Sequence, residues 1–234
     1  MLTTMFTRIT NVMKHSFNEN FGKCVMGYHF INDDPIKEAP WEDINSQILV
    51  ESGCTIDSTS SGSHVSGSDI HCSIGAFSNK STQYECDETQ FKISSYRLTT
   101  VCTDKEPGMI ETIIGEIDKR KNFDYYSIIV RNCVDSTIKY DWYLIPADYP
   151  SFDPRTYSWK HKIGKTGKNK GLVTGWETNT VDGSSMSITF SMSSQLWLNI
   201  RITEDMKQFI MGSVTITKGR KLNYINIYDT LMTG

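Results

Sequence analysis

The stretch SGSDIHCSIGAFSNKS, residues 66–81, decides how the middle of this chain folds. Two short segments, "DIHCSIG" and "AFSNKSTQYE", meet near Gly75, and short strand-like segments joined at a glycine are typical of a β-hairpin. Asp69 opens the first predicted strand, and Lys80 lies in the second. A carboxylate at the start of one strand and a lysine on its hairpin partner can meet at the same edge of a sheet. We therefore predict that Asp69 and Lys80 lie close together.

Outward from this hairpin, residues 41–146 carry the pattern of an α/β core. On the N-terminal side, "WEDINSQILVESG" follows Pro40 and stops at Gly53, which predicts a helix, and residues 55–68 predict a loop with at most one short edge strand. On the C-terminal side, "ISSYRLTTV" is expected to begin a helix or to cross over the sheet. "GMIETIIGEIDKRKNF" has helical apolar spacing, and "YYSIIVRNC" and "STIKYDWYLIPA" predict strands. The expected fold class is α/β, with a mixed central sheet flanked by helices.

The flanking regions differ in character from this core. Residues 1–40 are expected to be an irregular N-terminal extension that packs on the domain or helps a dimer form, and residues 41–150 form the core. Residues 151–234 are expected to form a β-rich C-terminal subdomain, in which "SSMSITFSMSSQLWLNIRI" predicts a strand pair and "TEDMKQFIMGSV" a short helix.

Length and composition fit one domain of ordinary size. The 234 residues are 38% apolar and 22% charged, with a net charge of −3, so a polybasic protein is excluded while a local basic patch is not. The N-terminus "MLTTMFTRITNVMKHSF" lacks the apolar region of a signal peptide, and no segment approaches the roughly 20 apolar residues of a membrane helix. We expect a cytoplasmic, intracellular protein without membrane contact.

The six cysteines form no CxxC pair and have no histidines at zinc-site spacing, which favours reduced thiols. The alternative is a secreted β domain with three disulfides, in which Asn79 of "NKS" is a glycan acceptor.

The segment "YSWKHKIGKTGKNKGLVTGW" combines lysines, glycines and a tryptophan on each side. We predict a DNA-contacting loop, because glycines let the backbone approach phosphates and lysines neutralise them. Its candidate residues are Lys160, Lys162, Lys165, Lys168 and Lys170. Arg97 is a further candidate for a contact with the DNA backbone. The alternatives are a solvated surface loop for the lysines and a structural salt bridge for Arg97.

The hairpin resembles the PD-(D/E)xK nuclease superfamily, which includes type II restriction endonucleases and junction resolvases. The family pattern of an aspartate followed by Glu/Asp-x-Lys is matched by Asp69 and by Ser78-Asn79-Lys80. A helix glutamate eleven residues before a glycine, as in the resolvase branch, is matched by Glu42 and Gly53. The resemblance covers about half the chain and implies a restriction-endonuclease-like core.

The resemblance also implies the roles of the site residues. Asp69 and Glu42 would hold Mg²⁺, Lys80 would orient or help deprotonate the attacking water and stabilise the phosphate, and Ser78 could hold a metal-bound water. Ser78 replaces the acid of the family pattern, and a hydroxyl is a poorer Mg²⁺ ligand than a carboxylate. Glu42 is the first candidate for the missing acid, and Glu85 and Glu51 are weaker ones. The structural alternative makes Asp69 a turn residue and Lys80 a solvated lysine.

The expected function is therefore a Mg²⁺-dependent, sequence-specific endonuclease of double-stranded DNA. A palindromic recognition site would imply a homodimer. The alternatives are a DNA repair nuclease or junction resolvase and, in another class, a non-enzymatic β-rich ligand-binding module.

Overall fold

The computed structural model describes residues 11–59, 67–103, 108–190, 194–219 and 222–233. The helices are α1 (Asn11–Ile31), α2 (Glu38–Glu51), α3 (Ile110–Arg120) and α4 (Tyr224–Thr233). The strands are β1 (Ile56–Thr59), β2 (Ile70–Cys72), β3 (Gly75–Glu85), β4 (Gln90–Arg97), β5 (Tyr125–Val134), β6 (Thr137–Pro146), β7 (Trp159–Ile163), β8 (Val173–Thr178), β9 (Ser185–Thr189), β10 (Gln195–Arg201) and β11 (Ile210–Thr217). Short 3₁₀ helices occupy Pro150–Phe152, Pro154–Thr156, Gly167–Asn169 and Glu204–Phe209. The prediction of an α/β fold with a mixed sheet is confirmed.

Strand β3 belongs to two sheets and connects them. The hydrogen-bonded strand order is β11-β6-β5-β3-β4-β10-β9-β8-β7; in addition, β2 pairs with β3, and β1 pairs with β2. In the first sheet β3 pairs in parallel with β5 and antiparallel with β2. In the second sheet only its last residues, Tyr84 and Glu85, pair with β4. The first sheet comprises β1, β2, β3, β5, β6 and β11, and the second continues from the end of β3 through β4, β10, β9, β8 and β7.

Strand β5 is buried on both faces, as its sequence predicts. Tyr125 and Ile129 belong to an apolar cluster with the side chains of α1 and α2. Ile128 and Val130 belong to a second cluster, which contains α3 and the inner side of the second sheet. Alternate residues of a strand point to opposite faces, so one strand supplies both cores. The first sheet is therefore the middle layer of the molecule.

The prediction of an irregular N-terminal extension is wrong for residues 11–31, which are helical, while residues 32–37 do lack regular structure. Residues Asn11–Ile31 form a 21-residue helix whose buried side chains include Phe17, Phe21 and Val25 at intervals of four. Phe17 and Phe21 both pack against Trp142 of β6, with ring centroids 5.4 and 6.0 Å apart. Such a stripe places one side of a helix against the sheet.

One other local prediction is wrong, and two are correct only in part. "ISSYRLTTV" contributes to strand β4, because Phe91 and Ile93 point into the core while Lys92 is exposed. The short helix predicted in "TEDMKQFIMGSV" is present as the 3₁₀ helix Glu204–Phe209, but the rest of the segment enters β11, whose backbone pairs with β6. The two ends of the lysine-rich segment lie in the paired strands β7 and β8, and residues 164–172 form the connection between them, which carries Lys165, Lys168 and Lys170. Part of the predicted 55–68 loop, residues 60–66, lies outside the described residues.

Two features bear on the secreted alternative. All six cysteines lie in the described residues and are free, as the reduced-thiol prediction expects. Asn79 has no exposed surface, so a glycan could not be attached there without opening the core.

None of the described helices has both the length and the apolar character needed to span a membrane.

Candidate active site

The β2–β3 hairpin brings Asp69 onto the strand that carries Lys80. The backbone N–H of Asp69 donates to the Phe77 carbonyl at 2.7 Å, and the backbone N–H of Asn79 donates to Oδ2 of Asp69 at 2.5 Å. The Ser78 hydroxyl also hydrogen-bonds the Asp69 carboxylate. The carboxylate of Asp69 is therefore held at the middle of the Ser78-Asn79-Lys80 segment.

Lys80 makes its direct ion pair with Glu38 of α2, at 2.5 Å between Nζ and Oε1. Only 14% of the Lys80 side chain is exposed, whereas 47% of the Glu38 side chain is. The hydroxyl of Ser81, the next residue of β3, donates to the Ile36 carbonyl at 2.8 Å and ties the start of α2 to this strand. Lys80 is thus not a freely solvated lysine.

Helix α2 supplies the second acid of the site, Glu42, one turn after Glu38 on the same side of the helix. A buried polar network fixes α2 against the first sheet. Asn45 Nδ2 donates to Asn79 Oδ1 at 2.6 Å and to Ser127 Oγ at 2.9 Å. Trp41 Nε1 donates to the Ser127 carbonyl at 3.1 Å. The backbone N–H of Asn79 also donates to Asp69, so this network connects helix α2, which carries Glu42, to the hairpin that carries Asp69.

Both carboxylates are harder to ionise than free ones. Burial raises the pKa of Asp69, and Glu38 raises it further, while Lys80, the Asn79 N–H and the Ser78 hydroxyl act in the opposite direction. Burial also raises the pKa of Glu42, with additional contributions from Asp69 and Glu38 and an opposing one from Lys80. The two carboxylates and the ammonium therefore lie within electrostatic reach of one another.

An open cleft of about 170 Å³ exposes the two acids to solvent. It is lined by Glu42, Asp43, Ser46, Thr59, Asp69 and Ile70. Three carboxyl side chains thus line the cleft, and burial raises the pKa of two of them, Glu42 and Asp69.

The described residues supply only part of the donor set that a divalent ion requires. Among the described residues, no three or more His, Cys, Asp or Glu side chains are grouped so as to hold a metal ion. Mg²⁺ is commonly held by one or two carboxylates, with water and substrate phosphate completing its shell. Glu42 and Asp69 fit that limited role, and they do not form a complete protein cage.

The two weaker candidates for the missing acid lie elsewhere. Glu85 is at the end of β3, where it pairs with Gln90 at the junction of the two sheets. Glu51 is the exposed last residue of α2, nine residues and so about 13 Å along the helix from Glu42. Neither lines the cleft.

The basic candidates lie on the second sheet and its β7–β8 turn. Lys160 pairs with Glu177 at 3.4 Å, and Lys162 donates to Thr189 Oγ1 at 2.9 Å. Lys165, Lys168 and Lys170 are exposed in the turn between β7 and β8. Arg97 is exposed at the end of β4, and its carbonyl accepts a hydrogen bond from Arg120.

Sequence reasoning missed Glu38 and Asn45. Pro40 suggested a helix start at residue 41, but α2 begins at Glu38, because proline is tolerated in a first turn whose N–H groups lack intrahelical partners. The four-residue interval between Glu38 and Glu42 places both acids on one side of a helix, and this interval is the sequence feature that indicates Glu38. Nothing in the local sequence distinguished Asn45, whose importance comes from contacts with β3 and β5.

Comparisons of the chain with protein-family models, with curated proteins and with solved structures found no significant match.

Proposed function

We propose that this chain is a Mg²⁺-dependent endonuclease that hydrolyses phosphodiester bonds of double-stranded DNA, of the type II restriction kind. The observation that carries the proposal is that Glu42 of α2 and Asp69 of the hairpin line one cleft, while Lys80 of β3 lies close enough to act against the rise in the pKa of both acids. This is the set of groups that the resemblance to the PD-(D/E)xK nucleases implies. Further support is the chain order α2, β1, β2, β3, β4, α3, β5 and β6, which contains the expected order of helix, hairpin, helix and two strands, with β1 and β4 in addition.

Glu42 and Asp69 would hold the divalent ion, which on binding would supply charge stabilisation at the phosphate and a more acidic water. The Asn79 N–H and the Ser78 hydroxyl keep the Asp69 carboxylate oriented. Lys80 places a positive charge beside the two acids, where it can contact the phosphate or the attacking water. Ser78 is 3% exposed and hydrogen-bonds Asp69, so we assign it the orientation of that carboxylate.

Mixed plasmid DNA incubated with the protein and Mg²⁺ tests the proposal. We expect discrete fragments that disappear with EDTA and with Lys80→Ala or Asp69→Asn. Lys207→Ala is the matched control, because Lys207 is an exposed lysine that pairs with Glu204 within the 3₁₀ helix. Each variant is first checked for cooperative thermal unfolding, so that a misfolded protein is not counted as inactive. Intact DNA across Mg²⁺ and Mn²⁺ and a range of salt concentrations would refute the proposal.

The same digest separates the alternatives. Cleavage of branched or damaged DNA without discrete plasmid fragments would support a repair nuclease or a junction resolvase. Thermal unfolding with and without Mg²⁺ gives a readout that needs no DNA: an ion that binds the folded state raises the midpoint of unfolding. We expect this increase for the wild type and for Lys207→Ala, and its loss for Asp69→Asn.

A further inference from the structure

The outer face of the second sheet is polar, although its inner face is a hydrophobic core. In β10, Leu196, Leu198 and Ile200 are buried, and the residues between them are partly exposed. The same alternation holds in β9, where Met186 and Ile188 are buried. An alternating pattern of this kind leaves one side of a sheet open to solvent. Among the described residues, no helix covers this side in the way that α3 joins the inner core.

This outer face is strongly cationic. Its charged side chains are Lys92, Arg97, Lys160, Lys162, Arg201 and Glu177. Five cations and one carboxylate give a formal charge of +4, and even with Glu85 of the adjoining strand the balance stays at +3. The whole chain has a net charge of −3, so the charge balance of these strands is opposite in sign to that of the chain. A net positive charge on one face points to a polyanionic partner.

The centre of the face carries groups that suit a sugar–phosphate backbone. Small polar side chains occupy it: Ser94, Ser185, Ser187, Thr189 and Asn199. Trp197 lies among them, and Nζ of Lys92 is 4.9 Å from the centroid of its ring, an arrangement that holds the ammonium over the sheet. Hydroxyl, amide and ammonium groups are the usual donors to phosphate oxygens.

The size of the face fits several phosphates. Neighbouring strands are about 4.8 Å apart, so the four spacings from β4 to β7 cover about 19 Å, or five to six phosphates of one DNA strand at 3.4 Å each. The face also begins beside the candidate active site. Thr82, two residues after Lys80, donates to the Lys92 carbonyl at 2.6 Å.

We infer that the outer face of the second sheet is a DNA-docking surface that binds the phosphate backbone without a metal ion. The choice of DNA as the polyanion rests on the proposed function, whereas the location rests on the charge and composition of the face. The lysine-rich turn between β7 and β8 extends this surface at its far edge.

Fluorescence polarisation of a labelled DNA duplex of about 20 base pairs, measured in EDTA, tests the inference without cleavage. The variant Lys92→Gln/Arg201→Gln removes two cations from the face. The control Lys23→Gln/Lys119→Gln removes the same charge from exposed positions on α1 and α3. We expect the face variant to weaken binding about tenfold and to lower the slope of log K against log salt by about 2, since each phosphate contact contributes about 0.9. The control should bind within about twofold of the wild type.

Equal binding by the two double variants would overturn the inference even if the wild type cleaves DNA. Metal-free binding that depends on the face, without cleavage in Mg²⁺, would uphold the surface and refute the nuclease. Vesicles containing anionic lipid are the competing polyanion. Binding to vesicles that is lost in the face variant, with no binding to DNA, would overturn the assignment of DNA.

Discussion

The ion pair between Glu38 and Lys80 should contribute a measurable coupling to the free energy of unfolding. Its two atoms are 2.5 Å apart, Lys80 is 14% exposed and Glu38 is 47% exposed. Fully exposed pairs contribute 0.2–1 kcal/mol, and burial of one partner reduces screening, so we expect a coupling energy of about 1 kcal/mol. For a chain of this size that corresponds to a shift of about 2–4 °C in the midpoint of thermal unfolding.

A double-mutant cycle of Glu38→Gln and Lys80→Met measures this coupling by urea unfolding. Glu38→Gln should be clearly destabilising, because it leaves a largely buried ammonium without its direct partner. Methionine at position 80 keeps an unbranched apolar stem and removes the charge. Raising the salt concentration should reduce the coupling only partly, since the lysine is shielded from solvent.

The pair Glu204 and Lys207 provides a control cycle, because it has a similar separation of 2.7 Å but side chains that are 86% and 57% exposed. We expect its coupling to be close to zero. A coupling for Glu38 and Lys80 within about 0.3 kcal/mol of zero would mean that the two residues do not interact as described, and the position of Lys80 would need to be reconsidered.

Three further predictions concern packing and pH. Gly212→Ala should destabilise the protein by about 1–3 kcal/mol, since a Cβ at this position would lie 2.6 Å from the Phe21 ring. Gly22→Ala should not destabilise it, because there is free space around a Cβ at position 22. Urea unfolding of both variants measures the difference. Burial raises the pKa of Asp69 and Glu42, so the folded state binds protons at these two carboxyls more tightly than the unfolded state does. The free energy of unfolding should therefore fall as pH rises above about 4. Asp69→Asn should reduce this fall, which a series of urea midpoints at different pH measures. Burial lowers the pKa of His29, so the free energy of unfolding should decrease as pH falls below about 6.5. His29→Gln should reduce this decrease in the same series of urea midpoints. An unchanged pH dependence would contradict the buried position of the ring.

Much of the first sheet could be predicted from local sequence, because its signals are periodic. The β-branched and aromatic run of β5 predicted a strand buried on both faces, and the glycine between β2 and β3 predicted the hairpin. Gly75 has φ of +142°, a conformation that side chains rarely adopt, so the turn is specified by its own residue. The sequence pattern did not predict helix α1, although the apolar residues Phe17, Phe21 and Val25 recur every fourth residue. Glycines and asparagines, which are poor helix formers, lie between these apolar residues.

The sequence by itself determined the periodic elements and the spacing of Asp69 and Lys80 on neighbouring strands. It could not determine which acids of α2 face them, because Glu38 and Glu42 lie on one side of the helix and Asp43 and Glu51 on others, and the side that faces β3 is set by packing. The network from Asn45 to Asn79 and Ser127 makes that choice. Likewise, the cations of the second sheet are scattered from residue 92 to residue 201, and only the pairing of β4 with β10 brings the most distant of them onto one face. Contacts between residues far apart in the chain depend on which strands pair, and no local pattern encodes that pairing.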